Sequence, residues 1–237
     1  RNLVFGYGHG RRERDAPAPR LHSTAAISST WHTVFATEEQ RLWVLGPEGD
    51  KENDAQVLLE RDLDFVPEAL SIIPPHIVLT SHQPGGSLAV CLDSRGEEQW
   101  RVQVPFRTGQ PPIDGAQGRV YLAGGGLAAV EQGRVVWSGE AGPSTPPPAL
   151  PEGFETPPAL MATAFRDGTL AVANGPLLRL VRPDGTILVE LRTAGESLTC
   201  PPAIGADGTI WVGSDEALYV ARPVEEAPTT ERLPEPR

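Results

Sequence analysis

PPAIGADGTIWVGSDEALYVAR, from Pro201 to Arg222, holds three short apolar segments separated by two polar turns. PPAIGA runs into Asp207-Gly208, TIWVGS into Asp215-Glu216, and ALYVAR closes the unit. Asp-Gly between alternating apolar segments is a strong hairpin signal, read here as a two-residue turn with both central residues at positive φ. Three antiparallel strands follow. A fourth comes from the copy before it, where Leu180-Val181-Arg182-Pro183 meets Asp184-Gly185 and then TILVELRT from Thr186. The unit is therefore a four-stranded meander.

Working outward, the central strand pair recurs as TVFATEEQRLWVL from Thr33, IVLTSHQPGGSLAVC from Ile77, RVYLAGGGLAAV from Arg119 and TLAVANGPLLRL from Thr169. A leucine marks each copy at Leu42, Leu88, Leu127, Leu178 and Leu218, at spacings of 46, 39, 51 and 40 residues. A strand-built period near forty residues predicts an all-β fold, a β-propeller of four-stranded antiparallel blades. About five to six blades are expected, with repeats near 22–65, 66–108, 109–157, 158–197 and 198–222 in a single domain spanning 1–222. Apolar residues on both faces of a strand, as in Ile210-Trp211-Val212, fit sheets stacked face to face rather than a sheet with one wet side.

Two segments flank the repeats. NLVFGYG from Asn2 reads as a second blade strand without its successor, and HSTAAIS from His22 as a first strand. Either the N-terminal segment completes the ring, or an upstream portion does; the copy before Thr33 begins in mid-blade, which favours the second. After Pro223, PVEEAPTTERLPEPR reads as an extended Pro/Glu-rich tail. The longest irregular stretch, Glu140 to Pro158, repeats itself as TPPPAL and TPPAL and reads as a stiff rim loop between blades.

Composition removes several classes of function. The formal net charge is −11 and the basic residues are dispersed apart from Arg11, Arg12, Arg14 and Arg20, so phosphate neutralisation of a nucleic acid is not expected. No apolar run is long enough to make a membrane-spanning helix. The two cysteines, Cys91 and Cys200, fall in different copies and are expected as separate thiols. The five histidines, His9, His22, His32, His76 and His82, show no zinc spacing. His76 and His82 flank one strand and are placed to meet at a rim. Gly124-Gly125-Gly126 joins two strands and is not a phosphate loop, and no Gly-x-Ser-x-Gly elbow occurs. The turn aspartates are read as turn chemistry rather than calcium ligands. No catalytic, cofactor-binding or metal-ligating residue is assigned.

LAVCLDSRGEEQW, Leu88 to Trp100, resembles the quinoprotein-like repeat, L-x-A-L-D-x-x-x-G-x-x-x-W, with Asp93, Gly96 and Trp100 in register. Gly133 with Trp137 keeps part of the pattern; Gly185 has Leu188-Val189 where a Trp would stand. The resemblance implies a PQQ-like-repeat propeller in which each Trp docks against the neighbouring blade. For activity it implies either a quinone-dependent dehydrogenase or a non-catalytic branch of envelope scaffolds and extracytoplasmic sensor domains. The adjacent cysteine pair of the dehydrogenases is missing, so the expectation is no enzyme and no cofactor. The expected role is a protein- or peptide-binding module in the periplasm or cell envelope, alone or as a subunit of a larger assembly, with contacts through the rim loops Gly142 to Pro157 and His82 to Gly86.

Overall fold

A computed structural model describes residues 25–27, 32–46, 56–139, 160–193 and 195–223. Among these described residues nineteen strands form five antiparallel sheets, each a meander in chain order. Blade I holds β1 (Ala26–Ile27), β2 (Thr33–Ala36), β3 (Arg41–Gly46) and β4 (Gln56–Asp62); blade II holds β5 (Ala69–Ile73), β6 (His76–Gln83), β7 (Gly86–Leu92) and β8 (Glu98–Val104). Blade III holds β9 (Ile113–Asp114), β10 (Arg119–Ala123), β11 (Leu127–Glu131) and β12 (Arg134–Gly139); blade IV holds β13 (Met161–Ala164), β14 (Leu170–Asn174), β15 (Leu177–Val181) and β16 (Ile187–Arg192). Blade V has three described strands, β17 (Ala203–Ile204), β18 (Ile210–Gly213) and β19 (Leu218–Ala221). The expected β-propeller fold is present, with four strands in blades I to IV and three in blade V among the described residues.

Stacking follows from the two apolar faces of each sheet. Four apolar clusters join consecutive blades: Val34, Leu42, Leu79 and Val90 between I and II; Val78, Cys91, Leu122 and Val130 between II and III. Tyr121, Leu127, Leu170 and Val172 fill the space between III and IV, and Ala171, Leu178, Ile210 and Val212 that between IV and V. Alternation along a strand sends odd residues to one neighbour and even ones to the other. Burying both faces this way removes the water that a lone sheet would keep on one side.

The repeated leucine is not quite a repeat. Leu42, Leu127 and Leu178 face the following blade, whereas Leu88 packs on the cluster shared with the preceding one. In blade II that role falls to Ala89. The β6–β7 hairpin is longer, with Gln83 paired to Gly86, and one residue of offset turns a side chain to the other face.

A better period lies at the outer strands. Each of blades I to IV carries a register shift after Val44, Cys91, Ala129 and Leu180, and the residues opposite are Leu59, Trp100, Trp137 and Val189. The first three reach the next blade's outer turn. A Cβ added to Gly96 would stand 2.8 Å from Leu59, one on Gly133 would stand 2.7 Å from Trp100, and one on Gly185 would stand 3.2 Å from Trp137. Trp137 also donates from Nε1 to the Pro183 carbonyl (2.6 Å), and Tyr121 donates from its hydroxyl to the Gly168 carbonyl (2.7 Å). Arg119 binds Glu131 and the Pro183 carbonyl at the same joint. Trp100 and Trp137 are thus docking residues. Trp43 stacks on Phe35 within blade I, Trp211 lies over Gly205, and Trp31 lies outside the described residues.

The Asp-Gly turns differ from the expected two-residue type. In the Asp207 turn Gly205 N–H donates to Thr209 O and Gly208 N–H to Gly205 O, which makes a three-residue loop with only Gly208 (φ 78°) left-handed. Asp167 and Asp184 sit in turns of the same pattern. The aspartate stays in ordinary backbone space because its carboxylate does the work: Oδ1 accepts the Thr169, Thr186 and Thr209 N–H groups from Asp167, Asp184 and Asp207, each at 2.9–3.0 Å. Asp93 Oδ1 accepts from Arg95 and Glu97 N–H. These bonds hold the carboxyls of Asp93, Asp184 and Asp207 below the usual aspartate value, backbone N–H donation being the largest cause in each.

Two predictions follow from these contacts. Gly118 has φ 77° and open space, so Gly118→Ala reads the backbone cost alone, about 1 kcal/mol. Gly133 has φ 76° and the Trp100 contact as well, so Gly133→Ala is expected to lose a further ~1–3 kcal/mol. Chemical denaturation of both variants measures the difference, and equal losses would mean the docking contact carries no weight. For the turn aspartates, a folded pKa below the unfolded one makes the ionised form favour folding. Their stabilisation is fully present above pH ~4 and is lost as pH falls through the folded values. Thermal midpoints from pH 6 to pH 2 should fall less for Asp207→Asn than for wild type.

Candidate functional site

Antiparallel meanders put the connections at two ends. The turns between second and third strands, and the crossings from one blade's outer strand to the next blade's inner strand, share what is termed here the upper face. The other turns form the lower face. Both expected rim contacts attach to the upper face: His82 to Gly86 links β6 to β7, and the Gly142 to Pro157 loop joins β12 to β13 and lies outside the described residues.

His82, Pro84, Gly85, Pro105, Phe106 and Arg107 line a shallow upper depression of about 670 Å³ at the junction of blades II and III. Its floor is the crossing Pro105 to Gly109, and the glycines beside it have assignable structural duties. A Cβ on Gly86 would lie 1.9 Å from Val104 O, one on Gly124 2.1 Å from Arg107 O, and one on Gly126 2.7 Å from the Phe106 ring. Two glycine-rich turns therefore close onto the backbone and ring of Phe106-Arg107 from either side. Gly85 is different: its φ is 88° and the space around its α-carbon is open.

The crossing is pinned from beneath. Thr108, nearly buried, donates its N–H to Ser87 Oγ (3.0 Å), and its hydroxyl lies 3.3 Å from the same oxygen. His82 Nε2 donates to the Thr108 carbonyl (3.1 Å), and its Nδ1 lies 2.6 Å from Glu68 Oε2. Gly125 N–H donates to Arg107 O and Gly109 N–H to Ala123 O, which ties the crossing to blade III. Arg107 is exposed, and Phe106 is half-buried against Gly126 and the cluster between blades II and III. The result is an exposed guanidinium next in sequence to a half-buried ring, on a held backbone.

His76 and His82 do not meet. They begin and nearly end the eight-residue β6, about 20 Å apart at ~3.3 Å per residue, and so lie on opposite faces. His76 lines a lower groove of about 820 Å³ with Gln99, Trp100, Gln117, Gln132 and Arg134. Gln117 (φ 63°) and Gln132 (φ 47°) hold left-handed backbone without being glycine, and His76 Nδ1 is buried without a hydrogen-bond partner. Larger though it is, this groove is walled by the joint itself, because Trp100 caps the adjoining Gly133.

A third polar group sits on the upper face between blades IV and V. Ser214 and Tyr219 hydroxyls both donate to Glu196 Oε2 (2.6 and 2.8 Å), which holds the Glu196 carboxyl below its ordinary value. The Ser214 Oγ also accepts the Ala217 N–H, so the group fixes a turn. Cys91 is buried and its thiol is pushed up to about 11, first by desolvation and then by Asp93. Cys91 and Cys200 are both free; Cys200 Sγ accepts the Gly213 N–H (3.1 Å). Among the described residues no group of three or more His, Cys, Asp or Glu side chains is placed to hold a metal ion. No helix among them is long and apolar enough to cross a membrane.

No protein-family model matches the chain, and no curated protein matches it in sequence. Solved structures do match in shape. The WD40 β-propeller domain of Doa1 is 13% identical at a TM-score of 0.53, over 86% of this chain and 68% of that one. Virginiamycin B lyase from Staphylococcus aureus is 14% identical at 0.54, over 85% and 70%. A protein of unknown function from Bacteroides caccae is 10% identical at 0.53, over 81% and 69%. At such identities the likeness defines the class, a β-propeller, and goes no further.

Sequence reasoning named the His82 to Gly86 turn but missed Phe106-Arg107. The available signal was position: the pair stands between Pro-Gly-Gly and Gly-Gly-Gly turns. Ser87→Ala would leave the buried Thr108 N–H without its acceptor at a cost of about 1–3 kcal/mol. Hydrogen exchange at Thr108 should accelerate in that variant, and unchanged protection would show that Ser87 does not hold the crossing.

Proposed function

We propose that this chain is a non-catalytic, protein-binding propeller of the quinoprotein-like type, whose upper face takes an extended peptide or loop of its partner. The observation that carries the reading is the Phe106-Arg107 pair, fixed through Thr108 and set beside the open Gly85 turn. Aromatic and arginine side chains are the usual anchors of protein interfaces, and a held backbone spares them the entropy of ordering on binding. An exposed arginine in a chain of net charge −11 favours a partner with a carboxylate at the contact.

Three further points support it. β12 ends and β13 begins at the same face, so the Pro-rich connection between them starts and returns there. The glycines of this face pack against backbone and ring, which leaves no phosphate cradle to assign to them. The Trp100–Gly133 and Trp137–Gly185 joints are those that the quinoprotein resemblance implies, and its non-catalytic branch is the ground for proposing the periplasm or cell envelope.

The test is selection of binders from a phage-displayed library of random peptides. Selected peptides should lose at least ~10-fold in affinity on Phe106→Ala and on Arg107→Glu, the scale of a single anchor residue. They should be unaffected by Gln132→Gly on the lower face. Binding that follows Gln132 instead would move the site to the lower groove. A bound chromophore on adding pyrroloquinoline quinone and calcium would replace the binding role with a dehydrogenase.

A further inference from the structure

The Tyr121 ring fills the lower end of the joint between blades III and IV, and its supports recur one joint earlier without a ring. Tyr121 is fully buried, its ring tilted against Trp137 at a centroid distance of 6.0 Å and its hydroxyl donating to the Gly168 carbonyl at 2.7 Å. Leu170, two residues beyond Gly168, packs in the same cluster. Between blades II and III each support has a counterpart. Trp100 stands opposite Cys91 beside a bulge, as Trp137 stands opposite Ala129. Gly118 has the place of Gly168, because Gly115 N–H donates to Arg119 O across one turn as Phe165 N–H donates to Thr169 O across the other. Val120, two residues beyond Gly118, answers to Leu170. The ring's own position, opposite Cys91 as Tyr121 is opposite Ala129, belongs to Val78.

An isopropyl group is too short to reach the turn that a phenol reaches, and the space stays open. A Cβ added to Gly168 would meet Ala116 at 3.1 Å and Pro183 at 3.3 Å, whereas one added to Gly118 would meet nothing within 4 Å. Val78, Cys91, Trp100, Gly118 and Val120 all line the lower groove of about 820 Å³. That volume falls in the ~300–1,000 Å³ range of small-molecule sites. A polar vacancy accompanies the apolar one. Arg119, two residues before Tyr121, crosses its joint to the Pro183 carbonyl, but His76, two residues before Val78, has its Nδ1 buried at the groove without a hydrogen-bond partner. We propose that this groove binds a small phenolic ligand, with its ring in the place that Tyr121 fills one joint later, its hydroxyl on the Gly118 carbonyl and a polar substituent on His76.

The groove's chemistry selects this class. Its floor of Val78, Cys91 and Val120 is apolar and suits a ring face, and a buried cavity left by a short side chain takes up an aromatic molecule of matching shape. Of the charged residues at its rim, Glu131 is paired with Arg119, which leaves one acid, Asp114, and one base, Arg134, so a neutral ligand fits best. An orphaned buried nitrogen is costly, and a hydroxyl on the ligand relieves it whether the nitrogen donates or accepts. The site lies on the lower face and is independent of the Phe106-Arg107 contact on the upper one.

The experiment titrates the full chain with tyrosol, a neutral phenol bearing a hydroxyethyl arm, and follows amide and indole signals by NMR. The Trp100 indole and the Gly118 amide are expected to shift while the Trp137 indole stays in place. The phenolic methyl ether of tyrosol, which cannot donate to Gly118, should bind at least ~5-fold more weakly. Val78→Tyr puts the missing ring on the chain itself, so it should raise the thermal midpoint and weaken tyrosol at least ~10-fold. If that variant does not fold, the shift map and the ether comparison on the unaltered chain still decide. Shifts that avoid Trp100 and Gly118, equal affinity for the ether, or full tyrosol binding by a folded Val78→Tyr chain would each overturn the proposal. Methyl glucoside shifting the Trp100 and Gly118 signals where tyrosol does not would overturn it as well, and would make the ligand a sugar.

Discussion

A sheet with two apolar faces cannot stand alone in water, and this requirement governs the molecule. Each blade is stable only between neighbours, so the sequence must supply both a filling for the space between sheets and a device that fixes their spacing. The filling is mostly aliphatic, Val, Leu, Ile and Ala, with Phe65, Tyr121 and Cys91 among them. The device is more exacting. One outer-strand side chain, thrown forward by a bulge, lies on a glycine of the next blade at 2.7–3.2 Å from where a Cβ would be. Bulges are well suited to this, because one extra residue re-aims a side chain without ending the strand.

That distinction explains which features could be read in the sequence. The blades were legible because alternation and the Asp-Gly-Thr turns recur at local spacing. The joint was legible where its residue is Trp, at Trp100 and Trp137, and invisible where it is Leu59, which looks like any strand aliphatic. The leucine register misled at Leu88 because sequence alignment counts residues, whereas burial depends on parity, and a longer hairpin changes parity without changing the motif. Asp-Gly suggested two residues at positive φ; the carboxylate's bond to the N–H two positions on let aspartate keep an ordinary backbone, leaving glycine alone in the left-handed region.

The candidate site was harder to read for a related reason. Its conspicuous residues, Gly86 and Gly124 to Gly126, are glycines whose duty is mostly steric, and its informative ones, Phe106 and Arg107, have no pattern of their own. Their significance comes from Ser87, twenty residues earlier, and from Gly126, twenty residues later. The pairing of His76 with His82 failed on geometry alone. An eight-residue strand separates its ends by most of the thickness of the propeller, so residues flanking it belong to different surfaces.

The two faces also divide their labour unevenly. Lower-face turns carry the docking contacts: Gly96, Gly133 and Gly185 each receive a side chain from the preceding blade, and Asp93, Asp184 and Asp207 shape their turns by accepting backbone N–H groups. Changes there disturb the stack. Upper-face crossings have only to span from one blade to the next, and they vary in the described chain from the six residues between β4 and β5 to the ten between β16 and β17. The crossing from β12 to β13 is longer still. On the crossing between blades II and III the backbone and the buried edge of Phe106 hold the two blades together, whereas the exposed Arg107 side chain lies outside that packing and is free to be committed to something else.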